Sequence, residues 1–108
     1  MTINRKDLLL SLRRADILST PDYQGVTIEL KKERAVVSKT TPQLGEVKED
    51  IPAQYTGSSL TIAFNPTYLM DVLRNLEEET IQVSFSGADK PAILRKQGYT
   101  YLVLPMKI

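Results

Sequence analysis

Apolar residues recur at helical spacing near the start of the chain: Leu8, Leu12 and Ala15 fall on one face at about 100° per residue, with Leu9 at its margin. Asn4 precedes them as an N-cap, and Asp7 stands at the third helical position, where a carboxylate meets the free amides of the first turn. The pattern predicts a helix from about Arg5 to Leu18. Lys6, Arg13 and Arg14 lie on the opposite side, and Leu10 and Ile17 share it. Two aliphatic residues opposite a core stripe need a second partner or stay exposed.

The next stretch, Ser19 to Gly25, is a loop by its turn chemistry. Period two then sets in at Val26–Lys31 and again at Arg34–Lys39, with a short polar turn between, and this predicts a hairpin. Glu46–Tyr55 reads as a weaker strand whose charges suit an edge. After Thr56 and Gly57 the order repeats. Leu60–Phe64 is a strand, and Asn65-Pro66 places a cap before a proline at the first helical position. The helix that follows carries Leu69, Val72, Leu73 and Leu76 on one face and Thr67, Asp71, Arg74 and Asn75 on the other. Ile81–Phe85, Ala92–Arg95 and Thr100–Leu104 read as three further strands.

Superposing Asn4 on Asn65 also superposes Leu8 on Leu69, Leu9 on Met70, Leu12 on Leu73 and Arg13 on Arg74. Cap, apolar spacing and element order agree, so we read an internal duplication of a β-α-β-β-β unit, with repeats over about 1–56 and 57–108. Two amphipathic helices side by side on a sheet bury both stripes, which gives a layered α+β domain. The first strand is stunted, with only Thr2 and Ile3 before the cap.

Composition narrows the chemistry more than the fold. At 108 residues, 42% hydrophobic and 25% charged, the chain suits a single globular domain, 1–108. Net charge is +1, so only a local basic patch can argue for nucleic acid. There is no cysteine and no histidine, which removes disulfides, thiol nucleophiles, the usual zinc ligands and the commonest general base. Glu77–Glu79 is a charge run ending a helix without metal-ligand spacing, and Ser58, Ser59 and Ser84 have no base at hand. The expectation is a non-enzymatic protein with no cofactor and no metal. No stretch has the apolar length of a membrane span and the amino terminus lacks a signal-peptide core, so a cytoplasmic location is expected, with no membrane partner.

The last eight residues, Tyr101-Leu-Val-Leu-Pro-Met-Lys-Ile108, are apolar up to the carboxyl terminus. Pro105 cannot donate to a sheet ladder, so a strand is predicted to end near Leu104 with Pro105 and Met106 beside it. Two readings stand: a terminal strand that closes a core, or one wall of a groove for a partner peptide.

Ile17-Leu-Ser19, Tyr55-Thr-Gly57, Phe64-Asn-Pro-Thr-Tyr-Leu-Met-Asp-Val-Leu73 and the closing octapeptide resemble the third, carboxyl-terminal domain of the bacterial DNA sliding clamp, the beta subunit of DNA polymerase III. The resemblance covers essentially the whole chain. It implies the DNA-clamp fold and a replication processivity role: three such domains per protomer, and two protomers head to tail as a homodimeric ring around duplex DNA. Met1 falls near the family's domain boundary, which suggests an excised domain, expected to be a monomer and unable to encircle DNA.

The resemblance also assigns sites. Asn65, Tyr68, Leu102, Leu104, Pro105 and Met106 match the family's pocket for a short motif of glutamine and hydrophobic residues, with Val103 and Lys107 flanking. The partners so implied are the alpha subunit of DNA polymerase III, the clamp loader and other proteins carrying the motif. Asn65 is also a helix cap, and Tyr68 also suits the edge of a core. Ile17 and Leu18 match the protomer interface. Lys6, Arg13, Arg14 and Arg74 are the candidates for facing DNA, touching phosphates without reading sequence. Each also suits the solvated face of a helix, and Arg14 could instead pair with a carboxylate. The family pocket is completed by a middle domain and linker absent here, and Asp89-Lys-Pro91 is more charged than in some relatives, so weaker peptide affinity is expected. The rival reading is a stand-alone adaptor for hydrophobic peptides with no DNA role. A reading frame that continues upstream through two more such domains favours the clamp.

Overall fold

In the computed structural model, residues 1–106 are described apart from Tyr23, Gln43 and Gln97. Chain order is β1 (Thr2–Asn4), α1 (Arg5–Asp16), β2 (Val26–Lys31), β3 (Arg34–Thr41), β4 (Gly45–Gln54), β5 (Leu60–Phe64), α2 (Pro66–Asn75), β6 (Thr80–Ser84), β7 (Ala92–Lys96), β8 (Tyr99–Val103) and β9 (Pro105–Met106). The strands form one nine-stranded sheet in the order β8-β7-β6-β1-β4-β3-β2-β5-β9, antiparallel throughout.

Both helices begin as their caps predict. The Asn4 side chain accepts from the Asp7 amide at 2.9 Å, and the Asn65 side chain accepts from the Thr67 amide at 3.0 Å with Pro66 behind it. Their inner stripes are buried: Leu8, Ser11, Leu12 and Ala15 on α1, and Leu69, Met70, Val72 and Leu73 on α2. These meet the inward residues of the strands, Val26, Ile28 and Leu30 of β2 and Ile62 and Phe64 of β5 among them, in one hydrophobic core.

Four expectations about the elements change. α1 stops at Asp16 rather than Leu18 because the Leu18 and Ser19 amides turn back to the Ala15 and Asp16 carbonyls, and the Ser19 hydroxyl bonds Asp16 at 3.0 Å. Met70, which lay off the predicted stripe, is 4% exposed. β4 is an edge only in part: residues 45–52 pair with β3 alone, whereas Ala53 and Gln54 pair with β1. β8 ends at Val103, one residue early, and Pro105–Met106 is a strand of its own on β5, with Phe64 opposite Pro105 and Ala63 opposite Met106. The proline tolerates this place because β9 ends the sheet and no further strand needs its amide.

The strand order explains the shape. β8 and β9 are the two ends of the sheet, yet only Leu104 separates them in sequence. Two Cα steps reach about 7 Å, so the sheet curls until its ends approach one another at Leu104. β1, three residues long, joins the two halves of the sheet by pairing with β4 on one side and β6 on the other.

Candidate functional site

The closing segment alternates. Val103 is 2% exposed and Tyr101 packs against the core, whereas Leu102 and Leu104 are 52% and 69% exposed. Period two therefore sends Tyr101, Val103 and Pro105 inward and Leu102, Leu104 and Met106 outward. The outward residues form an apolar row that crosses from one end of the sheet to the other. Its leucines stand in solvent, but Met106 is half-buried.

Register places Asn65 at one end of this row. Pro105 is opposite Phe64, and Asn65 follows Phe64 directly. Tyr68 is 49% exposed and lies one turn into α2, on the same flank of the helix as Asn65. The fold thus gathers Asn65, Pro105 and Met106 around the start of α2, with Tyr68 beside them and the two leucines leading away. Lys107 lies outside the described residues. Next to Asn65 and Thr67 is a separate cleft of about 350 Å³ lined also by Asp16, Ser19, Thr20, Pro21 and Gln24.

Sequence reasoning did not find the residues beneath the row. Lys39 lies on the inner face of β3 and is 4% exposed; its ammonium donates to the Gly25 carbonyl at 2.7 Å. Desolvation lowers the Lys39 pKa from 10.5, opposed by the charge of Asp16. Thr41, two residues along the same face, donates its hydroxyl to the Leu18 carbonyl. The apolar part of β3 thus underlies α1, and its polar end fastens the turn after the helix and the start of β2. In the folded strand 39 and 41 share the inward face of Ala35 and Val37, but nothing local in the sequence supplies their partners.

The other predicted residues sit on α1, in the turn after it and on α2. Ile17 is 76% exposed and Leu10 45%, both opposite the core stripe, while Leu18 is half-buried. Lys6 and Arg13 are exposed on the same side, and Lys6 shares a cleft of about 340 Å³ with Glu77 and Glu79. Arg14 is engaged within the chain: its Nε and Nη2 donate to the two Glu49 oxygens at 2.6 and 2.7 Å. These bonds hold the Glu49 carboxyl below 4.5; partial burial opposes the effect, and the Arg14 charge adds to it. Arg74 pairs with Asp71 on its own helix at 3.1 Å. Among the described residues no cluster of acidic, histidine or cysteine side chains could hold a metal ion, and no helix is long and apolar enough to cross a membrane.

Comparison with known proteins gives one family. The family model for the C-terminal domain of the DNA polymerase III beta subunit matches residues 1–107. The beta sliding clamp of Streptococcus pneumoniae is 37% identical over 114 residues, which cover 99% of this chain and 30% of that protein. The solved sliding clamp of Bacillus subtilis superposes with a TM-score of 0.92 at 33% identity, covering 100% of this chain and 30% of the other. A Pseudomonas aeruginosa clamp solved bound to griselimycin gives 0.90 at 27% identity, covering 99% and 30%. The chain spans about 30% of the length of these relatives.

Proposed function

Because this chain belongs to the family formed by the C-terminal domain of the DNA polymerase III beta subunit, we propose that it is the module by which a sliding clamp holds its protein partners. The receiving surface is the outward row of Leu102, Leu104 and Met106, with Pro105, Tyr68 and Asn65 beside it. The observation that carries this reading is the exposure of Leu102 and Leu104 on a segment whose alternate residues are core. Large aliphatic side chains fixed in water by a strand favour a covering partner. The leucine and phenylalanine side chains of a peptide would cover them, and the Asn65 amide and Tyr68 hydroxyl supply the few polar groups that orient such a ligand. A relative solved with griselimycin bound supports the view that clamps of this fold take ligands.

The role is mechanical. In the whole protein a ring around duplex DNA tethers the polymerase and raises its effective concentration at the primer end. One shared surface makes the polymerase alpha subunit, the clamp loader and other motif-bearing proteins compete. Ile17 and Leu18 meet the next protomer, and Lys6, Arg13 and Arg74 face the duplex, where loose phosphate contacts suit sliding. Arg14, clamped to Glu49, contributes less. The setting is the bacterial cytoplasm, and this chain alone is a monomer without measurable duplex affinity at physiological salt.

The test is chemical-shift mapping with a synthetic peptide in which a glutamine is followed by leucine and phenylalanine. Perturbations centred on Tyr68 and Leu102 to Met106 are expected. Perturbations confined to α1 would sink the reading.

A further inference from the structure

Among the three outward residues of the closing row, Met106 alone lies down, and the reason is visible at Gly25. A methyl group built on the Gly25 α-carbon would sit 3.2 Å from the Met106 sulfur and 3.7 Å from its terminal carbon, with the Phe64 carbonyl at 3.9 Å. Gly25 does not need to be glycine for its backbone: the glycines with positive φ are Gly45 and Gly98. What it supplies is space. The sheet register agrees, since Met106 is opposite Ala63 and Ala63 opposite Thr27, so the thioether runs across the outer face of β5 and β2 to reach the glycine two residues before Thr27. Lys39 holds this spot from the inner side through the Gly25 carbonyl.

We infer that Gly25 is a positioning residue of the peptide surface: its bare backbone is the berth of the Met106 side chain, and Lys39 fixes the berth in place. The inference rests on the reading of Leu102 to Met106 as the surface for hydrophobic peptides. With the berth open, Met106 forms a low floor at the end of the row and leaves a step down from Leu104 that a bulky apolar side chain of the ligand can occupy. With the berth filled, the flexible thioether has to swing outward into that step. Methionine adapts readily, so the substitution moves a side chain rather than the backbone.

Gly25→Ala in the 108-residue chain tests this, with a fluorescein-labelled peptide bearing a glutamine followed by leucine and phenylalanine, and with methionine methyl spectra. The chain has three methionines, so the Met106 signal is assigned by Met106→Ala. The expected result is a displaced Met106 methyl signal in the free variant, peptide affinity lower by roughly five- to tenfold, and loss of most of that difference when Met106→Ala is present in both backgrounds. If Gly25→Ala alone melts early, adding Met106→Ala must restore the melting temperature. Wild-type binding with an unaltered Gly25→Ala affinity, an unmoved methyl signal or a failed restoration overturns the role of Gly25 and leaves the peptide surface standing. A wild-type chain that binds no peptide overturns the surface and this inference together.

Discussion

α1 and α2 do the same work inward and different work outward. Each buries a leucine stripe against the curled sheet, with Leu12 and Leu73 both fully enclosed. Outward, α1 carries Leu10 among Lys6, Arg13 and Arg14, with Ile17 just past its end, whereas α2 shows Thr67, Asp71, Arg74 and Asn75 with Tyr68 on its flank. The inner faces are constrained by packing density and so look alike. The outer faces are free of that constraint, and of the two it is the outer side of α1 and the turn after it that exposes aliphatic residues. The ends differ as well. α2 is closed by the other helix: Arg5 donates through Nε to the Glu78 carbonyl at 2.8 Å and through Nη1 to the Leu73 carbonyl at 3.1 Å. The end of α1 is closed by a turn and by Thr41.

The strongest way to break the comparison is in the core. Leu12→Ala and Leu73→Ala should each cost about 2–5 kcal/mol in denaturant unfolding, with the slope unchanged. The two values should agree within about 2 kcal/mol, the scatter that differences in cavity collapse give among buried leucines. A much cheaper Leu73→Ala would mean that α2 packs more loosely than its burial indicates.

Next in size is the tie between the helices. Arg5→Met keeps the aliphatic stem and removes the donors, leaving two carbonyls near the end of α2 without them. A loss of about 1–2 kcal/mol is expected, with hydrogen exchange accelerated first at Leu73 to Leu76. Equal acceleration in α1 would show that Arg5 supports the whole domain rather than one helix end.

The caps sharpen the comparison further. Asn4→Ala and Asn65→Ala should each cost about 1 kcal/mol, and Asp at either position should restore stability. Peptide affinity separates them: Asn4→Asp should leave it intact, and Asn65→Asp should lower it, since the carboxylate keeps the cap but loses the amide donors. Unchanged affinity in Asn65→Asp would reduce that residue to a cap.

These helices were the most legible part of the chain because periodicity, caps and turn residues are local signals. Asn4, Asn65-Pro66 and the leucine stripes placed both α1 and α2 at their observed starts. The family was legible too, through the Phe64–Leu73 segment and the ending. The strand β9 was not, because a proline and the residue after it are a strand only by virtue of Ala63 and Phe64, more than forty positions earlier. The partial edge character of β4 depended on the same kind of distant pairing, with Thr2 and Ile3. Of the site, the alternation of Leu102, Val103 and Leu104 was readable from period two. The floor beneath it was not, since Gly25, Lys39 and Met106 meet only after the sheet has closed.

The smallest expected effect lies in Arg14, an outward charge of α1 that pairs with a carboxylate on another element. Arg14 bonds both oxygens of Glu49 on β4, while Arg74 bonds a neighbour on its own helix. The Glu49 carboxyl is held below its ordinary 4.5 in the folded chain, so as pH falls through that value the unfolded chain takes up the proton first. The stabilisation is therefore complete above about 4.5 and declines as pH drops toward the lowered folded value. Glu49→Gln should melt slightly below wild type at neutral pH, and the gap should close in acid. Raising the salt should also shrink the neutral-pH gap, because the pair is near the surface. A gap that stays constant from neutral to acid pH would mean that the bond contributes geometry but no charge-dependent stability, and α1 would then be no more firmly tied to β4 by its charge than α2 is to itself.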